Sequence, residues 1–180
     1  KLIDKNQSEI IGNITFKNLF HKEESFYIKG KLDRVSSNYN NLRAILPNIL
    51  GTRLPASLEK LGNVNISGDV ELTDDYINSK VYLSSNLGEV LADLAIQDLG
   101  NIDNATYQGT IALGKFQLGT FLGEKEIGWT NLDVMVDGQG FNQKYLNTKV
   151  KGKINNFVYN GYNYSNITVD GVMKMPYFKG

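Results

Sequence analysis

The sequence predicts an all-β protein: an antiparallel meander of ten or more strands with one or two short helices. Two observations carry this. Apolar and polar residues alternate through segment after segment, the period-two pattern of half-buried strands. Seven glycines (Gly12, Gly30, Gly68, Gly109, Gly138, Gly152 and Gly171) also fall on the apolar side of those segments. Glycine inside a strand gives up packing and backbone entropy, so it marks a bend or a close approach. A sheet folded along its length into a trough needs small residues at its crease. Two sheets packed as a sandwich, or one sheet closed as a barrel, would bury the same apolar face. The spacing of the glycines is uneven, which excludes a fixed-period solenoid.

The segment Val64–Leu72 shows the pattern most cleanly. Val64, Ile66, Gly68, Val70 and Leu72 share one side, and Asn65, Ser67, Asp69 and Glu71 the other. Before it, strands are expected over 9–17 and 25–36, separated by a polar break at His21–Glu24. Leu42, Ile45, Leu46 and Ile49 then follow helical spacing, with Pro47 breaking the rod. Leu54–Gly62 reads as a short helix. Pro55 sits in its first turn, Gly62 just past its end, and Leu54, Leu58 and Leu61 form its buried stripe. These two make a helical insertion at about 38–62.

Strands follow over Ile77–Ser85 and Val90–Ile96, joined by a turn at Asn86-Leu87-Gly88. A polar loop, Gln97–Asn104, leads to strands at 105–113 and 115–122 around Gly114. After a second loop, Gly123–Gly128, come strands at 129–138, 145–159 and 162–175. The last two meet at Asn160-Gly161, the strongest short-range hairpin signal.

At 180 residues the chain is one domain's worth, a single segment over 1–180. Nineteen basic and 19 acidic residues cancel, which argues against nucleic acid and anionic membrane surfaces as partners. There is no cysteine, so disulfides and thiolate metal sites are excluded. No run approaches the ~18 apolar residues of a membrane helix, and no signal peptide is visible. The apolar cluster Pro176-Tyr177-Phe178 just before Gly180 reads as part of a longer polypeptide.

Catalytic patterns are lacking. His21 is the single histidine and sits beside Glu23 and Glu24, the setting of a solvated side chain. Asp98, Asn101 and Asp103 share a loop, but their spacing is not that of a calcium loop, and turn chemistry explains them better. Asp74-Asp75 lies at a strand end. Neither a nucleophile elbow nor a phosphate loop is present. The sequence argues against an enzyme, and no cofactor or metal is expected.

Several phrases in order resemble the TamB family of AsmA-like envelope proteins, in the form found in Bacteroidetes. They are Leu42–Pro47, Leu54–Gly62 with Val64–Leu72, Asn104–Gly109, Phe116–Gly119, Val136–Phe141, Asn147–Gly152 and Tyr159–Tyr164. Together they cover most of the chain, and each is a structural phrase without catalytic content. The resemblance implies a periplasmic protein of a Gram-negative bacterium, anchored in the inner membrane, whose sheet is a U-shaped β-taco. It implies carriage of phospholipid between the two membranes in a hydrophobic groove, a role in outer-membrane biogenesis, and pairing with an Omp85-type outer-membrane barrel.

The groove would bind acyl chains through Ile14, Phe16, Ile28, Leu32, Val64, Ile66, Val70, Leu72, Val81, Leu83 and Val90. It would continue through Leu94, Tyr107, Ile111, Leu113, Val134, Val136, Val150, Ile154, Ile167, Val169 and Met173. Competing readings are a closed β-sandwich or lipocalin-like binding module, a fragment of an outer-membrane barrel, and a chaperone that receives barrel strands by β-augmentation.

Overall fold

The computed structural model describes residues 2–3, 8–18, 25–45, 56–101, 103–142, 144–174 and 177–180. His21, Glu23, Glu24, Leu46, Pro47, Ile49, Leu54, Pro55 and Pro176, named above, lie outside the described residues.

Among the described residues a single antiparallel sheet holds eleven strands in sequence order, each hydrogen-bonded to its neighbours. Nine are long: β2 (Glu9–Lys17), β3 (Tyr27–Asn38), β4 (Asn63–Thr73), β5 (Ile77–Ser85), β6 (Gly88–Gln97), β7 (Thr106–Gln117), β8 (Ile127–Gln139), β9 (Asn147–Tyr159) and β10 (Tyr162–Lys174). The edge pieces β1 (Leu2–Ile3) and β11 (Tyr177–Lys179) flank them. The first and last described strands do not pair, so the sheet is open and not a closed barrel.

The short hairpins follow from turn chemistry. Asn160 and Gly161 both take positive φ (49° and 79°), as the turn that matches strand twist requires, and Tyr159 pairs with Tyr162 across it.

Among the described residues, three short helices interrupt the meander. Helix α1 spans Tyr39–Ile45 and a 3₁₀ helix spans Ala56–Leu61, both inside the expected insertion. The third, α2 (Leu118–Leu122), stands where alternation predicts a strand over 115–122. The expected strands at 105–113 and 115–122 are instead one strand with a bulge, followed by this helix. Leu118 and Phe121 turn onto Phe116 at one end of the sheet, which a straight strand would not allow. Gly123 ends α2 in the left-handed region (φ 85°), donating its N–H to the Gly119 carbonyl at 2.7 Å.

Alternation is broken by bulges. Between Leu32 and Val35, β3 advances three residues while β2 and β4 advance two, so Leu32 and Val35 share a face. β7 does the same between Leu113 and Phe116.

Candidate functional site

Reading the register across the sheet places the apolar residues in rows perpendicular to the strands. One row runs Gly12, Leu32, Gly68, Val81, Ala92, Ile111, Val134, Gly152, Val169. The next runs Ile14, Gly30, Val70, Ser79, Leu94, Gly109, Val136, Val150, Gly171. Flanking these on one side are Phe16, Ile28, Leu72, Ile77, Ile96, Tyr107, Gly138, Thr148 and Met173. On the other are Ile10, Val35, Ile66, Leu83, Val90, Leu113, Leu132, Ile154 and Ile167, with Val64 one step beyond. Every residue expected to line the groove therefore lies on one face.

Six of the seven glycines fall in the two central rows. Gly68 shows why. Its φ is +125°, and a Cβ there would lie 2.1 Å from the Lys80 carbonyl oxygen of the next strand. Gly12, Gly109 and Gly152 repeat that geometry. Such kinks, aligned across the strands and joined by bulges, are the devices that crease a sheet into a trough.

The two ends of the face are roofed. At one end Ile28, Leu72, Ile77 and Ile96 pack with Leu99 from the loop after β6, and with Phe26, Tyr107 and Phe141. Tyr107 stacks on Phe141 (centroids 5.1 Å apart), and its hydroxyl bonds the Thr148 hydroxyl over Gly138, where no side chain intervenes. Burial raises the Tyr107 pKa, and the bond with Thr148 opposes that shift. At the other end Val64, Leu87 and Phe116 pack with Leu61, Leu58, Leu42, Leu118 and Phe121, which come from the three helices. Neither cluster includes a residue of the central rows other than Ile14.

Exposure follows this plan. Ile28, Val64, Leu72, Val134 and Val136 are buried. Phe16 is 43% exposed at the β2 edge. The remaining expected lining residues, Val70, Val81, Leu94, Ile111 and Val150 among them, are half-buried. Leu99 and Phe141 escape sequence reasoning because each is an isolated apolar residue in a polar loop, where alternation has nothing to say.

The opposite face is a charge lattice. Lys29 pairs with Glu71 (3.2 Å), Lys80 with Asp93 (3.2 Å), and Lys151 with Asp170 (3.1 Å). A groove of about 530 Å³ crosses this face among Lys29, Lys31, Asp69, Glu71, Lys80 and Asp93. Its six charges cancel, and Val70, Leu94 and Ala95 line it between them. In the Gln97–Asn104 loop, Asn101 accepts the Asp103 N–H through its side chain (3.1 Å) and its carbonyl accepts the Ala105 N–H (2.9 Å), which is turn chemistry. No cluster of three metal-ligating side chains occurs among the described residues, and no described helix is long and apolar enough to cross a membrane.

Comparisons with protein-family models, with curated proteins and with solved structures find no match.

Proposed function

We propose that the apolar face is a lipid-binding trough: a segment of a periplasmic conduit of the TamB type, passing phospholipid between inner and outer membranes. The observation that carries this reading is the central band. Two full rows of Gly, Ala, Ser, Val, Leu and Ile cross nine strands without a charged residue, and both packed clusters lie to its sides. An apolar lining without polar anchors holds hydrocarbon without fixing its position, so a chain can slide. Burying an acyl chain gains about 0.8 kcal/mol per methylene, on the order of ten kcal/mol for a common fatty tail.

Native mass spectrometry of the detergent-free chain tests this. Wild type should carry phospholipid. Val70→Asp or Ile111→Asp should lose it, because a carboxylate in the band costs more than the hydrocarbon regains. Glu71→Lys, on the charged face, should keep it. Equal lipid loads in all three variants would sink the conduit.

A second reading has its own support: the outer side of β10 is paired by β11 only from Val172 to Lys174, among the described residues. That edge could accept an extended strand of a client protein by β-augmentation. A photocrosslinker at Val169, on β10 itself and in the central band, should label lipid in a conduit and protein in such a chaperone.

A further inference from the structure

Residues 154–169 contain no charged side chain, in a chain that is 21% charged. They form the tip of the β9–β10 hairpin. The register carries the apolar face into it: Phe116 pairs with Thr130, Thr130 with Phe157, Phe157 with Tyr164, and Tyr159 with Tyr162. Four aromatic rings thus share one side of the tip. Tyr162 is 71% exposed, Tyr164 49% and Tyr159 39%. The Phe157 and Tyr159 rings lie nearly parallel, 6.3 Å apart at 7°. The Tyr159 hydroxyl donates to Glu126 at 3.0 Å, which sets a carboxylate beside the rings.

These rings stand where the roof stops. The helices supply Leu42, Leu58, Leu61, Leu118 and Phe121 to one end of the face over β4–β7, and that cluster contains nothing from β9 or β10. Tyrosine belongs where hydrocarbon meets water, because its ring is apolar and its hydroxyl is wet. Electron-rich ring faces beside a carboxylate, with no lysine or arginine in the stretch, attract an ammonium group and repel a net anion.

Resting on the lipid-trough reading above, we propose that the β9–β10 tip is the portal where a phospholipid headgroup sits, and that it selects zwitterionic headgroups carrying an ammonium over anionic ones. The acyl chains then lie along the uncovered band, with the ammonium against Tyr159, Tyr162 and Tyr164 and near Glu126.

The test offers the full chain an equimolar mixture of phosphatidylethanolamine and phosphatidylglycerol with matched acyl chains, and reads bound lipid by native mass spectrometry. Wild type should enrich phosphatidylethanolamine about two- to fivefold, the range of one exposed cation–π contact. The pair Tyr162→Ala and Tyr164→Ala should bring the ratio near unity through loss of bound phosphatidylethanolamine, with phosphatidylglycerol still bound. Glu126→Gln should lower it, and Tyr162→Lys should turn it toward phosphatidylglycerol. Lipid bound without headgroup preference, or a preference that survives the tyrosine variants, overturns the portal and leaves the trough standing. A wild-type chain that takes up neither lipid overturns both.

Discussion

On β2–β7 the apolar face ends in two packed clusters, whereas neither cluster contains a described residue of β9 or β10. The strands themselves do not differ. Val81, Ile111, Val150 and Val169 stand in one or other of two adjacent rows, and all are half-buried. What differs is whether a loop or helix folds back over the row ends. Leu99, Phe141 and the helices do so for β2–β7. β8 is the boundary, with α2 against its start and with Val134 and Val136 buried. Alternation thus identifies an apolar face but leaves open whether that face becomes core or remains a surface for hydrocarbon.

The largest expected effect would break this contrast, because the crease runs through both regions. Gly68 lies in the roofed half and Gly152 in the open half, and a Cβ at either would meet a carbonyl oxygen, of Lys80 at 2.1 Å or of Asp133 at 2.2 Å. Gly68→Ala and Gly152→Ala should each destabilise by about 3 kcal/mol or more, from backbone strain and overpacking together. Gly30→Ala, whose Cβ would meet only side chains, the nearest at 3.3 Å, should cost about 1 kcal/mol or less. Urea unfolding measures all three. A mild Gly152→Ala would mean that the open half is not creased.

The next effect sharpens the contrast. Leu99 is fully buried, so Leu99→Ala should cost about 2–5 kcal/mol. Val150 lies half-buried in the open half, and Val150→Ala should cost below about 1 kcal/mol. Comparable losses at the two positions would show that the band is packed core, with no room for an acyl chain.

Much of this plan is legible in the sequence, for a local reason. Side-chain alternation and Asn-Gly turns are properties of neighbouring residues, so Ile77–Ser85 and the hairpin at Asn160-Gly161 can be read directly. The apolar placement of Gly68, Gly109 and Gly152 is equally visible, and with it the crease. The bulges are not. An extra residue in β3 or β7 shifts the parity, and only the partner strand's register reveals it. Helix α2 is hidden because five residues make less than two turns, and Phe116-Gln117-Leu118 alternates like a strand. The roof is least legible of all, since Leu99 and Phe141 reach their partners through tertiary contact alone.

The smallest effect lies on the charged face, where the two regions again differ. In the roofed half Glu71 accepts the Tyr76 hydroxyl at 2.7 Å and pairs with Lys29 at 3.2 Å. The Tyr76 bond foremost, then the Lys29 bond, holds the Glu71 pKa below its ordinary 4.5. A carboxylate depressed in the folded state adds stability above its unfolded pKa, and that stability is lost as pH falls through the folded value. The advantage of wild type over Glu71→Gln should therefore be present above the ordinary carboxylate pKa and shrink as the pH falls below it. Lys151–Asp170 in the open half is an exposed pair with no third side chain among the described contacts, so Asp170→Asn should move the unfolding midpoint less than Glu71→Gln does. Equal acid-dependent losses for the two variants would place the Tyr76 hydroxyl outside the interaction and leave both pairs as ordinary surface contacts.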